Sequence, residues 1–110
     1  MPLFVASLLD IAGAKVAVIQ KRAEPKDYID IDALLQHGVE LPTMLAAGSL
    51  MYGSAFNPLI TLKALGYFKD VPALSAKVRE RLSAAVANVD ATRLPTLAAH
   101  SPSRLDAGDT

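Results

Sequence analysis

Leu8-Leu9-Asp10-Ile11-Ala12-Gly13-Ala14-Lys15-Val16-Ala17-Val18-Ile19-Gln20-Lys21-Arg22-Ala23-Glu24-Pro25-Lys26-Asp27-Tyr28-Ile29-Asp30-Ile31-Asp32 is the stretch that decides the fold. From Leu8 to Ile19 only Asp10 and Lys15 carry charge, and the remainder is Leu, Ile, Val, Ala and one Gly. At about 100° per residue, Lys15 shares a stripe with Leu8, Ile11, Val18, Ile19 and Arg22, which is the stripe expected to face a core. An unpaired buried ammonium is expensive, so Lys15 needs a carboxylate partner, an escape to solvent, or a task. Ser7 is the expected N-cap of a helix from Leu8 to about Arg22. Pro25 then supplies an N1 position behind Glu24 and opens a second helix, Lys26 to about Gln36, which stops at His37-Gly38. The pair reads as a helical hairpin across the short Ala23–Pro25 turn.

Working outward, Leu3-Phe4-Val5 reads as a short extended segment. Leu41-Pro42-Thr43 leads into a third helix, Met44 to Met51, weakened by Gly48 and Gly53. Asn57-Pro58 pairs a capping side chain with an N1 proline and starts a fourth helix, Leu59 to about Tyr67, whose apolar stripe is Leu59, Leu62, Leu65, Ala64 and Phe68. The longest amphipathic run, Leu74 to Val89, turns Leu74, Val78, Leu82, Ala85 and Val89 inward and leaves Lys77, Arg79, Glu80 and Arg81 mainly outside. Asp90 to Ala99 reads as a short terminal turn, and 100–110 as a polar tail. The expected fold is mainly α: about five helices in a small bundle, with at most one short N-terminal strand. Residues 1–99 make a single domain.

Composition narrows the function classes. A chain of 110 residues has room for one modest core. An apolar fraction of 52% rules out general disorder. Eleven basic residues balance eleven acidic ones, so no overall field attracts nucleic acid or an anionic membrane. The chain contains no cysteine, which excludes a disulfide scaffold and thiol catalysis and fits a cytoplasmic location. Neither a signal peptide nor a membrane span is expected, since Asp10 interrupts the first apolar run.

The six glycines form neither a dinucleotide fingerprint nor a phosphate loop. His37 and His100 lack metal-ligand spacing, and His37 reads as a helix C-terminal residue facing the dipole. Ser49 and Ser54 have no base near them, and no Ser/His/Asp triad is assembled. The candidate chemistry therefore reduces to Asp10, Lys15, Arg22, Lys26, Asp27 and Asp30. Asp27 and Asp30 stand three apart on a helix, so both carboxylates can converge on one cation. Antiparallel packing of the hairpin carries Lys15 toward the second helix, where it meets Asp30 or stands beside it to face an anionic ligand. Residue types alone also support a plainer reading, in which Lys21, Arg22 and Lys26 offset Glu24, Asp27 and Asp30 in a solvated salt-bridge network.

The order Val5-Ala6-Ser7-Leu8-Leu9-Asp10, then Lys15 in an Ala/Val-rich helix, then Arg22-Ala23-Glu24-Pro25-Lys26-Asp27-Tyr28-Ile29-Asp30, resembles the C-terminal half of the AbiEii/AbiGii nucleotidyltransferase toxins of type IV toxin–antitoxin systems. Members show an acidic residue and a lysine on one helix, followed by an Arg-x(n)-Lys/Arg-Asp-x-x-Asp block. Leu41-Pro42, Tyr52-Gly53, Asn57-Pro58 and the run Leu62-Lys63-Ala64-Leu65-Gly66-Tyr67-Phe68-Lys69-Asp70 are similar to the segment downstream of that block in the family. The resemblance spans residues 3 to 72.

That resemblance implies roles. Lys15 would contact nucleotide phosphates, Asp27 would serve activity with support from Asp30, and Arg22 and Lys26 would position the nucleotide or the block. By resemblance, then, Lys15, Asp27 and Asp30 are the catalytic candidates, and Lys15, Arg22 and Lys26 the nucleotide-binding ones. A complete member implies magnesium and a nucleoside triphosphate. It also carries an α/β half with a Gly-Ser or Gly-Arg motif and metal-binding aspartates, which the residues before Leu8 are too few to encode. The expectation is a helical lobe that binds no metal, lacks the catalytic half and is inactive alone. Its expected partners are a second copy of itself, a separately encoded catalytic half, or a cognate antitoxin. A non-enzymatic helical dimerisation or interaction module is the alternative. Self-association comes from the same reading, because Leu3-Phe4-Val5 and part of the first helix would expose apolar surface and an unpaired strand edge.

Overall fold

A glutamate followed by proline opens the second helix where the sequence places it, and that start fixes the hairpin around which the molecule is built. The computed structural model describes residues 3–90 and 92–95, with side chains from residue 8 onward. Within them the element order is α1 (Leu3–Val18), α2 (Pro25–Gln36), α3 (Leu41–Tyr52), a single 3-10 turn (Gly53–Ala55), α4 (Pro58–Leu65) and α5 (Ala76–Ala87). The fold is mainly α, a small bundle of five α-helices, and no strand occurs among the described residues.

Helix α1 corrects the expected start and end of the first element. Leu3-Phe4-Val5 is helical rather than extended, so Ser7 lies inside α1 rather than capping it, and the expected strand edge does not exist. Nor does α1 run on to Arg22. It ends at Val18, and tighter bonds succeed it, from the Gln20 amide to the Ala17 carbonyl and from the Lys21 amide to the Val18 carbonyl. The physical reason lies in α4. The Gln20 side-chain amide donates to the Asn57 carbonyl at 2.7 Å and to Thr61 Oγ1 at 3.0 Å, while the buried Thr61 hydroxyl donates to the Val16 carbonyl at 2.6 Å. These bonds satisfy a carbonyl that the end of a helix otherwise leaves without a partner, and they turn the chain toward α2.

The buried face of α1 matches the expected stripe only in part. Ile19, just past the end of α1, is buried as expected, but within the helix Ala12 and Val16 are the buried residues, whereas Ile11 is 49% exposed and Leu8 only half-buried. A helix that is apolar on nearly every side has little periodicity to mark its inner face. Close approach to α3 decides the orientation instead. A Cβ on Gly13 would lie 2.5 Å from the Met51 sulfur and 3.1 Å from the Ala47 carbonyl carbon, and one on Gly48 would lie 3.0 Å from both the Phe56 ring and Val16 Cγ2. Small residues on both helices let the two backbones approach. Gly48, which the sequence marks as a weakness, is a packing site.

The remaining helices complete the bundle. Gly38, at φ +90°, lets the Val39 amide reach back to the Leu34 carbonyl and close α2. Helix α3 begins at Leu41, three residues earlier than expected, because Pro42 is compatible with a first helical turn. Asn57 caps α4 by accepting from the Leu59 amide at 3.0 Å, yet Leu59 is 61% exposed and lies outside the buried stripe assigned to it. Ser75 caps α5 by accepting from the Val78 amide, so the helix starts at Ala76, and it ends at Ala87 with Asn88 as C-cap, shorter at both ends than the expected Leu74–Val89 run. Leu74 and Leu82 are buried, with Val78, Ala85 and Val89 partly so. The expected tail, 100–110, and part of the turn before it lie outside the described residues.

Candidate functional site

The hairpin brings four charged side chains into one cluster. Asp27 stands in the first turn of α2, preceded by Glu24 as N-cap residue and Pro25 inside the helix. The neighbouring Tyr28 and Ile31 are buried and seat that helix, with Tyr28 edge-on to Phe68 at a ring separation of 6.4 Å. This packing leaves the Asp27 side chain with no exposed surface. Its two oxygens go to different cations: Oδ1 lies 3.4 Å from Lys15 Nζ, and Oδ2 accepts from Arg22 Nε at 3.1 Å. A buried carboxylate requires such partners.

Lys15 reaches the cluster from α1 and carries a second ion pair, 2.7 Å to Asp30 Oδ2. Its side chain is 28% exposed and that of Asp30 48%, so this pair lies at the solvent edge while Asp27 lies beneath. Hydrogen bonding to Asp30, opposed by desolvation and reinforced by the charges of Asp30 and Asp27, holds the Lys15 ammonium above its ordinary pKa. Arg22 is raised likewise, first by its hydrogen bond to Asp27. Glu24 completes the rim, 3.5 Å from Arg22 and 3.7 Å from Lys26.

Of the residues singled out from the sequence, Lys15, Arg22, Lys26, Asp27 and Asp30 meet directly or through Glu24. Asp10 is exposed on α1, five residues before Lys15, whose ion pairs run to α2 instead. A nearby groove of about 190 Å³ is lined by Ala17, Val18, Tyr52 and Phe56 among others and contains none of these five residues. Among the described residues, no group of three or more His, Cys, Asp or Glu could hold a metal ion.

A second buried carboxylate lies outside the residues singled out from the sequence. Asp32, 3% exposed, accepts from Arg81 Nε and the terminal Arg81 nitrogen, each at 2.7 Å, and from the Gln36 amide at 2.8 Å. This forked pair ties α5 to α2, so Arg81, expected to lie mainly outside, has a fixed partner. Asp32 and Gln36, four apart on one helix, gave the only local signal; Arg81 lies 49 residues away.

Comparison with curated proteins and with solved structures finds no match. The family profile described as nucleotidyl transferase AbiEii toxin, type IV toxin–antitoxin system, matches residues 2–106. That match covers nearly the whole chain, including the Lys15 helix and the Arg22-to-Asp30 block. The chain therefore belongs to the nucleotidyl transferase AbiEii toxin family.

Proposed function

We propose that this chain supplies the phosphate-facing helical side of a nucleotidyltransferase toxin site, with Lys15 and Arg22 as the groups that meet a nucleoside triphosphate. The supporting observation is the anchoring of both cations on the buried Asp27, while Lys15 stays partly open to solvent. A carboxylate held beneath two cations fixes their positions before a ligand arrives, and preorganised charge is what phosphoryl transfer requires. Lys15 and Arg22 would stabilise negative charge as it moves onto the leaving pyrophosphate. Lys26, 68% exposed and linked to the cluster only through Glu24, would act at the edge of the ligand.

These residues do not fit a magnesium ion. Asp27 is buried with both oxygens engaged by cations, and Asp30 is held by Lys15. Metal-binding carboxylates for the reaction would have to come from residues outside this cluster, and the chain by itself is proposed to bind nucleotide without turning it over. Family membership points to a cognate antitoxin as partner. No described helix is long and apolar enough to cross a membrane.

Calorimetric titration of the 110-residue chain with ATP, GTP, CTP and UTP in the presence of magnesium tests this reading. Binding of at least one nucleotide, lost in a folded Lys15→Met variant, supports it. Absence of heat with all four defeats it and favours the interaction-module reading. That second reading has its own observation: Leu50, Met51 and Tyr52, at the end of α3, are each more than 40% exposed, as is Ile11 on the adjoining α1.

A further inference from the structure

The two aspartates of the cluster occupy different physical positions. Asp27 has no exposed surface and shares its oxygens between Lys15 and Arg22. Removing it would leave two cations without the anion that holds them. Asp30 stands one turn later at the solvent edge, 48% exposed, with one oxygen 2.7 Å from Lys15. Lys15 and Arg22 against Asp27 leave one positive charge in excess, and Asp30 cancels it. Glu24 and Lys26 cancel each other at the rim. The cluster is therefore neutral as it stands, and the solvent-facing side of the Lys15 ammonium is occupied by a carboxylate of the same chain.

From these positions we propose that Asp30 is a built-in competitor for the phosphate-binding position on Lys15. A polyphosphate must take the place of Asp30 on the ammonium, while Asp27 remains beneath as the permanent anchor. The proposal rests on the phosphate-facing reading of the cluster and assigns its two aspartates opposite roles: Asp27 positions the cations, and Asp30 limits anion affinity. Asp30 is suited to exchange because it is exposed on a helix surface, where an ion pair is weak and water can replace it. A phosphate oxygen offers Lys15 the same charge-assisted hydrogen bond with more charge behind it.

The probe is inorganic tripolyphosphate, titrated calorimetrically into the full chain and into Asp30→Asn, Asp10→Asn and Lys15→Met, with circular dichroism to check folding. Asn nearly matches Asp in shape, and an Asp30→Ser variant repeats the test if Asn distorts the helix. The expected result is about twofold to fivefold tighter binding to Asp30→Asn than to the unaltered chain. Asp10→Asn removes the same charge from an exposed carboxylate of α1 outside the cluster, so its gain should be smaller. Equal gains in the two variants would reduce the effect to net charge and overturn direct competition. Unchanged or weaker binding by Asp30→Asn, with measurable binding to the unaltered chain, overturns the proposal and leaves the phosphate-facing reading standing. No binding by any of the proteins overturns both.

Discussion

At the scale of the residue, Lys15 gives the clearest account of how one side chain acquires its surroundings. It lies at the border of the buried face of α1, close enough to the core to lose part of its hydration and close enough to α2 to recover that loss from two carboxylates. Replacing it by methionine leaves Asp27 with Arg22 alone, so Lys15→Met should lower stability by about 1 kcal/mol at neutral pH, a partly exposed pair being discounted for solvent screening. The sign of its pH dependence comes from its raised pKa. The folded chain keeps the proton to higher pH than the unfolded chain, so the contribution is complete below the ordinary 10.5 and declines as pH rises through the folded value. Tyr28, raised chiefly by burial, is lost in the same direction, but it does so in both proteins and cancels from the difference. Urea unfolding of the unaltered chain and of Lys15→Met should therefore show a gap at neutral pH that closes on the alkaline side of 10.5. A gap that persists there would mean that the methionine disturbs packing rather than removing a charge.

At the scale of the element, the α1–α3 contact is where close approach sets the geometry. Alanine at position 48 gains about 1 kcal/mol in helix propensity over glycine. It must also fit a Cβ 3.0 Å from an aromatic ring and from Val16 Cγ2, and overpacking of this kind costs about 1–3 kcal/mol. The steric effect should prevail, and Gly48→Ala should melt about 4–8 °C lower. Gly66→Ala is the control: its nearest neighbours would be 3.7 and 3.9 Å away, so thermal denaturation should show little change. The elements also differ in how legible they were. Glu24-Pro25 and Asn57-Pro58 marked helix starts within a residue or two, because capping is local chemistry. The Lys15–Asp30 meeting was legible for a related reason, since a short turn between two helices leaves few ways to pack them. The inward face of α1 was not, because its side chains are apolar on nearly every side and only the Gly13–Ala47 and Gly48–Val16 approaches select one. The Asp32–Arg81 pair was hidden by a separation of 49 positions along the chain.

At the scale of the whole molecule, the arrangement of apolar surface bears on assembly. Leu50, Met51 and Tyr52 leave much of their area in water at the end of α3, Ile11 does so on the Lys15 face of α1, and Leu59, Ile60 and Tyr67 do so on and just after α4. The chain has no net charge to oppose contact between copies. Under the interaction-module reading proposed above, a second copy of the chain covers the exposed end of α3, and multi-angle light scattering at micromolar concentration should then give the mass of a dimer. A monomer mass would end that proposal, and Leu50→Glu with Met51→Glu should convert a dimer into a monomer. The helical hairpin that carries the charged cluster has a further consequence in time. Lys15 and Asp27 are 12 residues apart, and Arg22 and Asp27 only 5. During synthesis, every member of the cluster leaves the ribosome well before Arg81 is added, so the hairpin's charges can find one another while the clamp that will hold α5 against it has yet to be translated.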